Sequence, residues 1–390
     1  MRRPDFDAIV AGAGAGGAAA AYYLTRAGLK TLVVDKAQLP RYKACGGAIP
    51  QTALDRFPFA MDSVIQAKPE EVRLTFPGRR PVDVSLPGRP VAMVMRQEFD
   101  ALLLAQSGAE VLDGTAVTGV VEDGAEVRVE TGRRALTARY LVGADGAAST
   151  VARRLGLRSQ RRLGGTLEAE VPLGDPGLRA DYGTRAIFCF GAVPWGYAWV
   201  FPKRDHLSVG IGRFRPGKVD LRSALVVEME RLGIRLDGIP LRGHPLPCYQ
   251  APLWPFWFNS PQEQLSTRRC LLVGDAAGLV DPLIGEGIRY AMTSARLAVE
   301  AIARDDLSGY EQAIWQEIGH DLATSGLLAE LYYRLPGFCF EVGLRNPEIV
   351  QQFVGVLTER FRHQGIGRRI LAASARWALQ GKPSQPKHVG

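Results

Sequence analysis

The first 35 residues alternate between short apolar runs and one helix-length segment. Phe6–Ala11 is largely apolar and stops at glycines, the stretch from about Gly16 to Ala27 is rich in alanine, and Thr31–Val34 is apolar again and closes in Asp35. With Gly28 stopping the middle segment, the pattern predicts strand, helix, strand: one βαβ opening. Pro40–Pro50 is a loop punctuated by glycine and proline. Val72–Phe76, Val82–Leu86 and Val91–Met95 read as short strands, and Arg96–Ser107 as a helix with Phe99, Leu102 and Leu103 on one face. Strand-like pieces separated by glycines fill Glu110 to Leu141. A β-rich, aromatic stretch from Gly164 to about Gly212 suggests a second sheet. Cys270–Val273 reads as a buried strand leading to a helix after Gly285. From about Tyr310 the chain is helical in pattern, with arginines among apolar residues, and the tail Gly381–Gly390 is polar and reads as loose. No internal repeat is visible.

Composition narrows the class. The 390 residues are 46% hydrophobic and 23% charged, a globular balance. No apolar run of about 18 residues marks a transmembrane helix, and the start of the chain leaves no room for a signal peptide before Phe6. A cytoplasmic protein is expected, with a peripheral position on a membrane left open. The net charge is +8, with arginine pairs at Arg79-Arg80, Arg133-Arg134, Arg153-Arg154 and Arg161-Arg162. Dispersed pairs fit a solvated basic face or attraction to anionic ligands and lipid surfaces. No nucleic-acid motif accompanies them. Cys45, Cys189, Cys248, Cys270 and Cys339 show no C-x-x-C spacing, so neither a metal site nor a disulfide framework is expected.

Gly12, Gly14 and Gly17 fit G-x-G-x-x-G between the first strand and the helix. The first glycine permits a tight turn, the second lets backbone approach a pyrophosphate, and the third lets helix and strand pack closely. Asp35 ends the next strand, where a carboxylate can bind a ribose hydroxyl. Cys270–Gly278 then places Asp275 after a buried strand, and Gly285, Gly287 and Ile288 open another helix. That pair of segments resembles the G-D motif of the two-domain flavoprotein fold shared with para-hydroxybenzoate hydroxylase-like enzymes. The resemblance implies an acid on the flavin ribityl chain and a helix N-terminus facing the isoalloxazine, where it would stabilise negative charge on reduced flavin. Gly143–Ser149, containing Asp145, resembles the D-G motif of the same fold, and Arg96 its helix-start arginine near the cofactor. FAD is the cofactor these motifs imply.

Pro40-Arg41-Tyr42-Lys43-Ala44-Cys45-Gly46-Gly47 is similar to the P-x-x-Y-x-x-C-G-G motif of the geranylgeranyl reductase family. Tyr197–Lys203, with Gly210 beyond it, resembles that family's Y-x-W-x-F-P motif; the likeness spans about Asp7 to Ala303. Gly46 and Gly47 allow backbone to lie against a flat ring. The resemblance implies a role for Cys45 in catalysis or substrate placement; as a residue it fits equally a small buried thiol. Tyr42 either donates a proton or packs. Tyr197, Trp199 and Phe201 share one face of a strand and make either an aromatic wall for a prenyl chain or a plain sheet core.

The implied fold is α/β (α+β): a discontinuous Rossmann-like FAD-binding domain (1–70, 96–160, 268–309), interleaved with a β-rich substrate-binding domain (71–95, 161–267) and followed by helices (310–390). The implied reaction is reduction of isolated C=C bonds in a prenylated small molecule or lipid by hydride from reduced flavin. With one dinucleotide fingerprint in the chain, the reductant is either NADPH bound transiently or a reduced ferredoxin. Two other readings stay open: a flavin monooxygenase or halogenase on the same fold, and a quinone-linked electron carrier without catalysis of its own.

Overall fold

A computed structural model describes residues 3–158, 163–249, 263–360 and 365–379. The arginine pair at 161–162 and the tail 381–390 lie outside the described residues. Three sheets and a set of helices following residue 310 make up the architecture.

The first sheet is built on parallel strands. Glu110–Leu112, Thr31–Val34, Phe6–Ala11 and Ala135–Gly143 lie side by side in that order, and Cys270–Leu272 runs beside the end of Ala135–Gly143. The start of Ala135–Gly143 pairs antiparallel with Glu126–Thr131, which pairs with Val117–Asp123. Ile9, Val10, Leu141, Val142 and Leu271 are fully buried, as parallel strands covered on both faces require. Helix Ala15–Arg26 packs on helices Arg96–Ser107 and Ile288–Ala303. Its alanines 18–21 are buried, and small side chains let the helix sit close to the strands. The predicted helix Arg96–Ser107 is found with those bounds; Gly108, at φ 67°, ends it in the left-handed conformation.

The second sheet has the order Arg242–Leu246, Gly164–Pro172, His206–Arg213, Gly196–Pro202, Arg185–Phe190, Glu71–Thr75, Val82–Ser85, antiparallel except between Arg185–Phe190 and Glu71–Thr75. Side-chain alternation splits it into two cores. Ala198, Val200, Val209 and Ile187 pack beneath Leu225 and Met229 of helix Leu221–Arg231, a helix the hydrophobic pattern did not signal. Tyr197, Trp199, Phe201, Phe188 and Phe190 face the opposite way. There the C-terminal helices close over them, with Ala329, Tyr333, Phe340 and Val354 in the same core.

One strand departs from the expected grouping. Val91–Val94, read with 71–95 as part of the second sheet, instead pairs with Ala48–Pro50 and Ile65–Ala67 in a separate three-stranded sheet. All four of its residues are buried, so it lacks the one-sided pattern that its neighbours in sequence show. The connection matters because Ala48–Pro50 directly follows the Cys45-Gly46-Gly47 turn and holds that turn against the second sheet.

Candidate active site

Two cavities meet at the junction of the sheets. The larger encloses about 640 Å³ and is lined by Gly12, Gly14, Asp35, Arg41, Tyr42, Cys45, Arg96, Asp145, Asp275, Gly285, Gly287 and Ile288, among others. Of the residues assigned to cofactor binding from sequence, Gly17, Gly46 and Gly47 do not line it. Gly17 still shapes its floor: a Cβ there would lie 1.8 Å from the Gly12 carbonyl oxygen, so only glycine lets the helix start this close to the strand. Gly12, at φ 102°, needs the same freedom, since its Cβ would meet the Ala144 carbonyl at 2.3 Å.

Gly14 is different. Its Cβ would point into space, with Arg41 Nη2 at 3.3 Å and Arg96 Nη2 at 3.7 Å as its nearest neighbours. Two guanidinium groups thus converge on a backbone cradle at a helix N-terminus, an arrangement that suits a pyrophosphate. Arg96 is held by a bidentate pair with Asp100 at 2.9 and 2.8 Å. Burial opposes its charge, yet Asp100 outweighs that and holds the guanidinium protonated. Arg41 lies 3.9 Å from Asp35 and 3.7 Å from Asp100, while its Nη1 is buried with no hydrogen-bond partner among the described residues. A buried unpaired donor is costly, and a bound phosphate oxygen would satisfy it. Neither Asp100 nor the arginine convergence was foreseen; the i, i+4 spacing of Arg96 and Asp100 on the predicted helix could have signalled that pair, whereas nothing in the spacing signals Arg41.

Asp35 accepts from the backbone of Ala13 (2.7 Å) and Ala37 (2.8 Å), which fixes its carboxylate on the glycine turn. Asp145 spends its carboxylate on Ser149 Oγ and on the N–H groups of Thr150 and Val151, at the start of helix Thr150–Arg154. It lines the cavity, but its oxygens cap that helix.

At the other end, Asp275 faces Lys43 Nζ at 3.2 Å and His244 Nε2 at 3.5 Å. Burial would raise its carboxyl, but Lys43 and His244 overcome this and hold it well below the usual carboxylate range. His244 itself is pushed down by burial, against the pull of Asp275. No histidine was assigned a role from sequence, and a lone His on a strand carries no signal that could have found it. Helix Ile288–Ala303 begins at Gly287 without a side-chain cap. Its open N–H groups, with Gly285, Gly287 and Ile288 on the cavity wall, favour an anionic or electron-rich group there.

The smaller cavity, about 150 Å³, is lined by Cys45, Gly46, Gly47, Val72, Met93, Phe188, Tyr197, Trp199, Phe201, Phe214 and their neighbours. Cys45, Ala44, Leu246, Gly285, Gly287 and Ile288 border both spaces. Tyr197, Trp199 and Phe201 do share one face, and that face is this wall. Trp199 stands opposite Gly210 in the sheet; a Cβ at Gly210 would strike the indole at 2.1 Å. The Tyr197 hydroxyl is donated to the Ile284 carbonyl, tying the wall to the loop before helix Ile288–Ala303. Gly46 and Gly47 were expected to make room for a flat cofactor ring. Protein neighbours already demand glycine at both positions: Phe201 lies 2.8 Å from a Gly46 Cβ, and the Val94 carbonyl 2.1 Å from a Gly47 Cβ. The aromatic wall presses directly on the turn, and that leaves no volume for side chains.

Tyr42 lines the larger cavity and donates its hydroxyl to Glu168 at 3.3 Å under the guanidinium of Arg242. Burial and the facing Glu168 raise its phenol well above the ordinary value, so it stays neutral. Lys203 is fully buried and donates to the carbonyls of Gly46 (2.7 Å) and Val94 (2.9 Å). Burial pulls its amine down to about 8, against the opposing pull of Glu168, Cys45 and Glu170. Between about 8 and the ordinary 10.5, the unfolded chain holds a proton that the folded chain lacks, so the cost of burying this charge is relieved as pH rises. Relative to Lys203→Met, the wild-type protein should gain up to about 1.4 kcal/mol of stability per pH unit across that window. Denaturant unfolding at stepped pH reads it directly, and parallel pH curves for the two proteins would refute it.

All five cysteines are free thiols. Among the described residues no group of three or more His, Cys, Asp or Glu side chains is placed to hold a metal ion.

The glycine cradle, the paired arginines and the uncapped helix fit FAD and define a flavin-dependent oxidoreductase. A family model described as "FAD binding domain" matches residues 5–179. A geranylgeranyl diphosphate reductase of Rhodobacter capsulatus is 32% identical over 76% of this chain and 74% of its own. The chloroplastic geranylgeranyl diphosphate reductase of Oryza sativa subsp. japonica is 30% identical over 90% of this chain and 78% of its own. A geranylgeranyl bacteriochlorophyll reductase-like structure from Thermoplasma acidophilum superposes with a TM-score of 0.73 at 22% identity, covering 95% of this chain and 96% of that one. The chain belongs to the geranylgeranyl reductase family of FAD-dependent enzymes.

Proposed function

We propose that this enzyme saturates C=C bonds of a prenyl chain, and that the bond being reduced lies where the two cavities meet, beside Cys45. The observation that carries this reading is the adjacency of a polar cofactor-sized cavity and an aromatic one, which share Cys45, Gly285, Gly287 and Ile288 in their linings. FAD, held by Gly12, Gly14, Asp35, Arg41, Arg96 and Asp275, would when reduced supply a hydride to one alkene carbon. The chain's own part is position, dryness and a proton. Phe188, Tyr197, Trp199 and Phe201 exclude water from the alkene. The Cys45 thiol stands at the shared border and delivers the proton to the second carbon. The Gly47 N–H, 3.4 Å from Cys45 Sγ, supports the thiolate left behind.

A space of about 150 Å³ is the size that admits one benzene-like group. It therefore takes one isoprene unit at a time, with the rest of the chain beyond it. Prenyl diphosphate, prenylated glycerolipid and prenylated quinone are the substrates to compare. Anaerobic incubation of each with dithionite-reduced holoprotein, read by mass spectrometry, should show gains in steps of two hydrogens. A product carrying oxygen or halogen in air, with no anaerobic saturation, would assign the site to a monooxygenase or halogenase. Rapid quinone reduction with no saturated product would assign it to an electron carrier. The electrons reach the flavin from NADPH bound transiently or from a reduced ferredoxin.

The substrate class also calls for contact with lipid. No described helix is long and apolar enough to cross a membrane. Five exposed apolar residues, Leu327, Leu331, Leu335, Phe338 and Val342, lie along 327–342, where helix His320–Arg334 passes into the short helical turns after it, and are 37 to 64% exposed. Arg79 and Arg345 pair with Glu341, and Arg334 with Glu330, within reach of this segment. The inner side of this segment, through Ala329, Tyr333 and Phe340, belongs to the core over the aromatic wall. Such a stripe suits peripheral attachment to anionic lipid. Co-flotation with anionic vesicles should be lost in Leu331→Asp/Phe338→Asp, and equal flotation of both proteins would remove this face from membrane contact.

A further inference from the structure

Glu168 lies in the middle of strand Gly164–Pro172, in register with Gly210 and, one strand further on, Trp199. An acid in that row is out of place, because a carboxylate 2% exposed among aromatic rings costs far more than an apolar side chain of the same size. Its bonds show what it holds. One oxygen accepts from the Cys45 backbone N–H at 2.5 Å and from Tyr42 at 3.3 Å; the other accepts from Ser208 Oγ at 2.6 Å. Ser208 in turn accepts from Trp199 Nε1 at 3.3 Å. Two peptide groups further on, the Gly46 carbonyl accepts from Lys203 Nζ. Two backbone groups of one turn are thus gripped by an acid within the second sheet and an amine directly after one of its strands.

We propose that Glu168 is a positioning residue that, with Lys203, clamps the Cys45–Gly47 turn and so fixes where the Cys45 thiol stands at the border of the two cavities. The turn is tied at its Gly47 end, where the carbonyl accepts from the Val94 N–H at 2.9 Å, while the aromatic wall presses on Gly46. The acid in strand Gly164–Pro172 and the amine just past strand Gly196–Pro202 hold the Cys45 end against that push. The network also links the wall to the thiol, because Trp199, Ser208, Glu168 and Cys45 form one chain of hydrogen bonds. A change in the wall on substrate entry is therefore felt at the turn. The catalytic meaning of the clamp rests on the proposed alkene reduction; its mechanical meaning does not.

The test reads the turn without any prenyl substrate. Flavin-loaded wild type, Glu168→Ala and Glu168→Gln are treated with iodoacetamide, and Cys45 alkylation is followed by peptide mass spectrometry. Cys189, Cys248 and Cys270 are buried and serve as internal controls for unfolding. Glu168→Ala should alkylate Cys45 about tenfold faster, the equivalent of one lost charge-assisted hydrogen bond. Glu168→Gln keeps an acceptor oxygen for the Cys45 N–H and should fall back toward the wild-type rate. If the alkene reading holds, Glu168→Ala also lowers kcat with KM little changed, and Glu168→Gln restores part of it. Flavin-loaded Glu168→Ala that alkylates at the wild-type rate overturns the clamp. So does failure of both variants to bind flavin, which would make the acid a fold requirement instead. Should wild type reduce no prenyl lipid, the function proposal falls while the alkylation rates still decide the clamp.

Discussion

Gly14→Val folds and purifies colourless. A side chain meets something different at each glycine of the turn. At Gly17 a Cβ lies 1.8 Å from backbone, and at Gly12 it lies 2.3 Å from a carbonyl at φ 102°. Substitution at either forces strand and helix apart and damages the fold. At Gly14 the backbone has an ordinary φ of −76°, and no protein atom lies closer to a Cβ than Arg41 Nη2 at 3.3 Å. Valine is thus tolerated by the chain and fills the volume that two guanidinium groups surround. The expected result is native circular dichroism and cooperative melting, with flavin absorbance near about 450 nm lost. Gly17→Val should instead be poorly folded. A yellow Gly14→Val protein would mean that the pyrophosphate is not cradled there.

Cys45→Ala keeps its flavin and loses alkene reduction by about 100-fold or more, the usual scale for removing a positioned proton donor. The substitution leaves the backbone N–H that Glu168 grips and the carbonyl that Lys203 grips next door, so the turn and both cavities keep their shape. What disappears is the S–H at their border, along with a weak acceptor for the Gly47 N–H. Single-turnover conversion of the best prenyl substrate, normalised to bound flavin, measures the effect. Turnover equal to wild type would leave Cys45 as packing.

The parts of this account that were legible in the sequence are those with a local period or a fixed spacing. The run Phe6–Ala11, the alanine helix and Thr31–Val34 declared one βαβ unit because burial on both faces leaves unbroken apolar runs. Tyr197, Trp199 and Phe201 declared one face because a strand alternates. Gly210 was visible as a spacing, but its reason, an indole lying across it, needed the register of two strands. What stayed hidden is what only tertiary register brings together. Arg41 and Asp100 stand far apart in the chain and share one cradle. Glu168 and Ser208 have no pattern around them, and although Tyr42 and Lys203 fall within motifs, nothing in those motifs signals that the four residues meet. His244 reaches Asp275 from a strand at the sheet edge. Val91–Val94 was grouped with its neighbours in sequence, whereas its partners are Ala48–Pro50 and Ile65–Ala67. The glycines of the turn were assigned to the cofactor, and the structure adds Phe201 and Val94 as neighbours that leave no room for a Cβ.

Flavin reoxidation followed without oxygen tests the central claim most directly. Holoprotein reduced with one equivalent of dithionite is mixed anaerobically with a prenyl substrate, and the return of the oxidised flavin band is timed. The account predicts that the alkene alone restores the band, one saturated bond per flavin, and that Cys45→Ala does so far more slowly. A reduced flavin that stays bleached with every prenyl substrate, yet reoxidises at once in air, would contradict it.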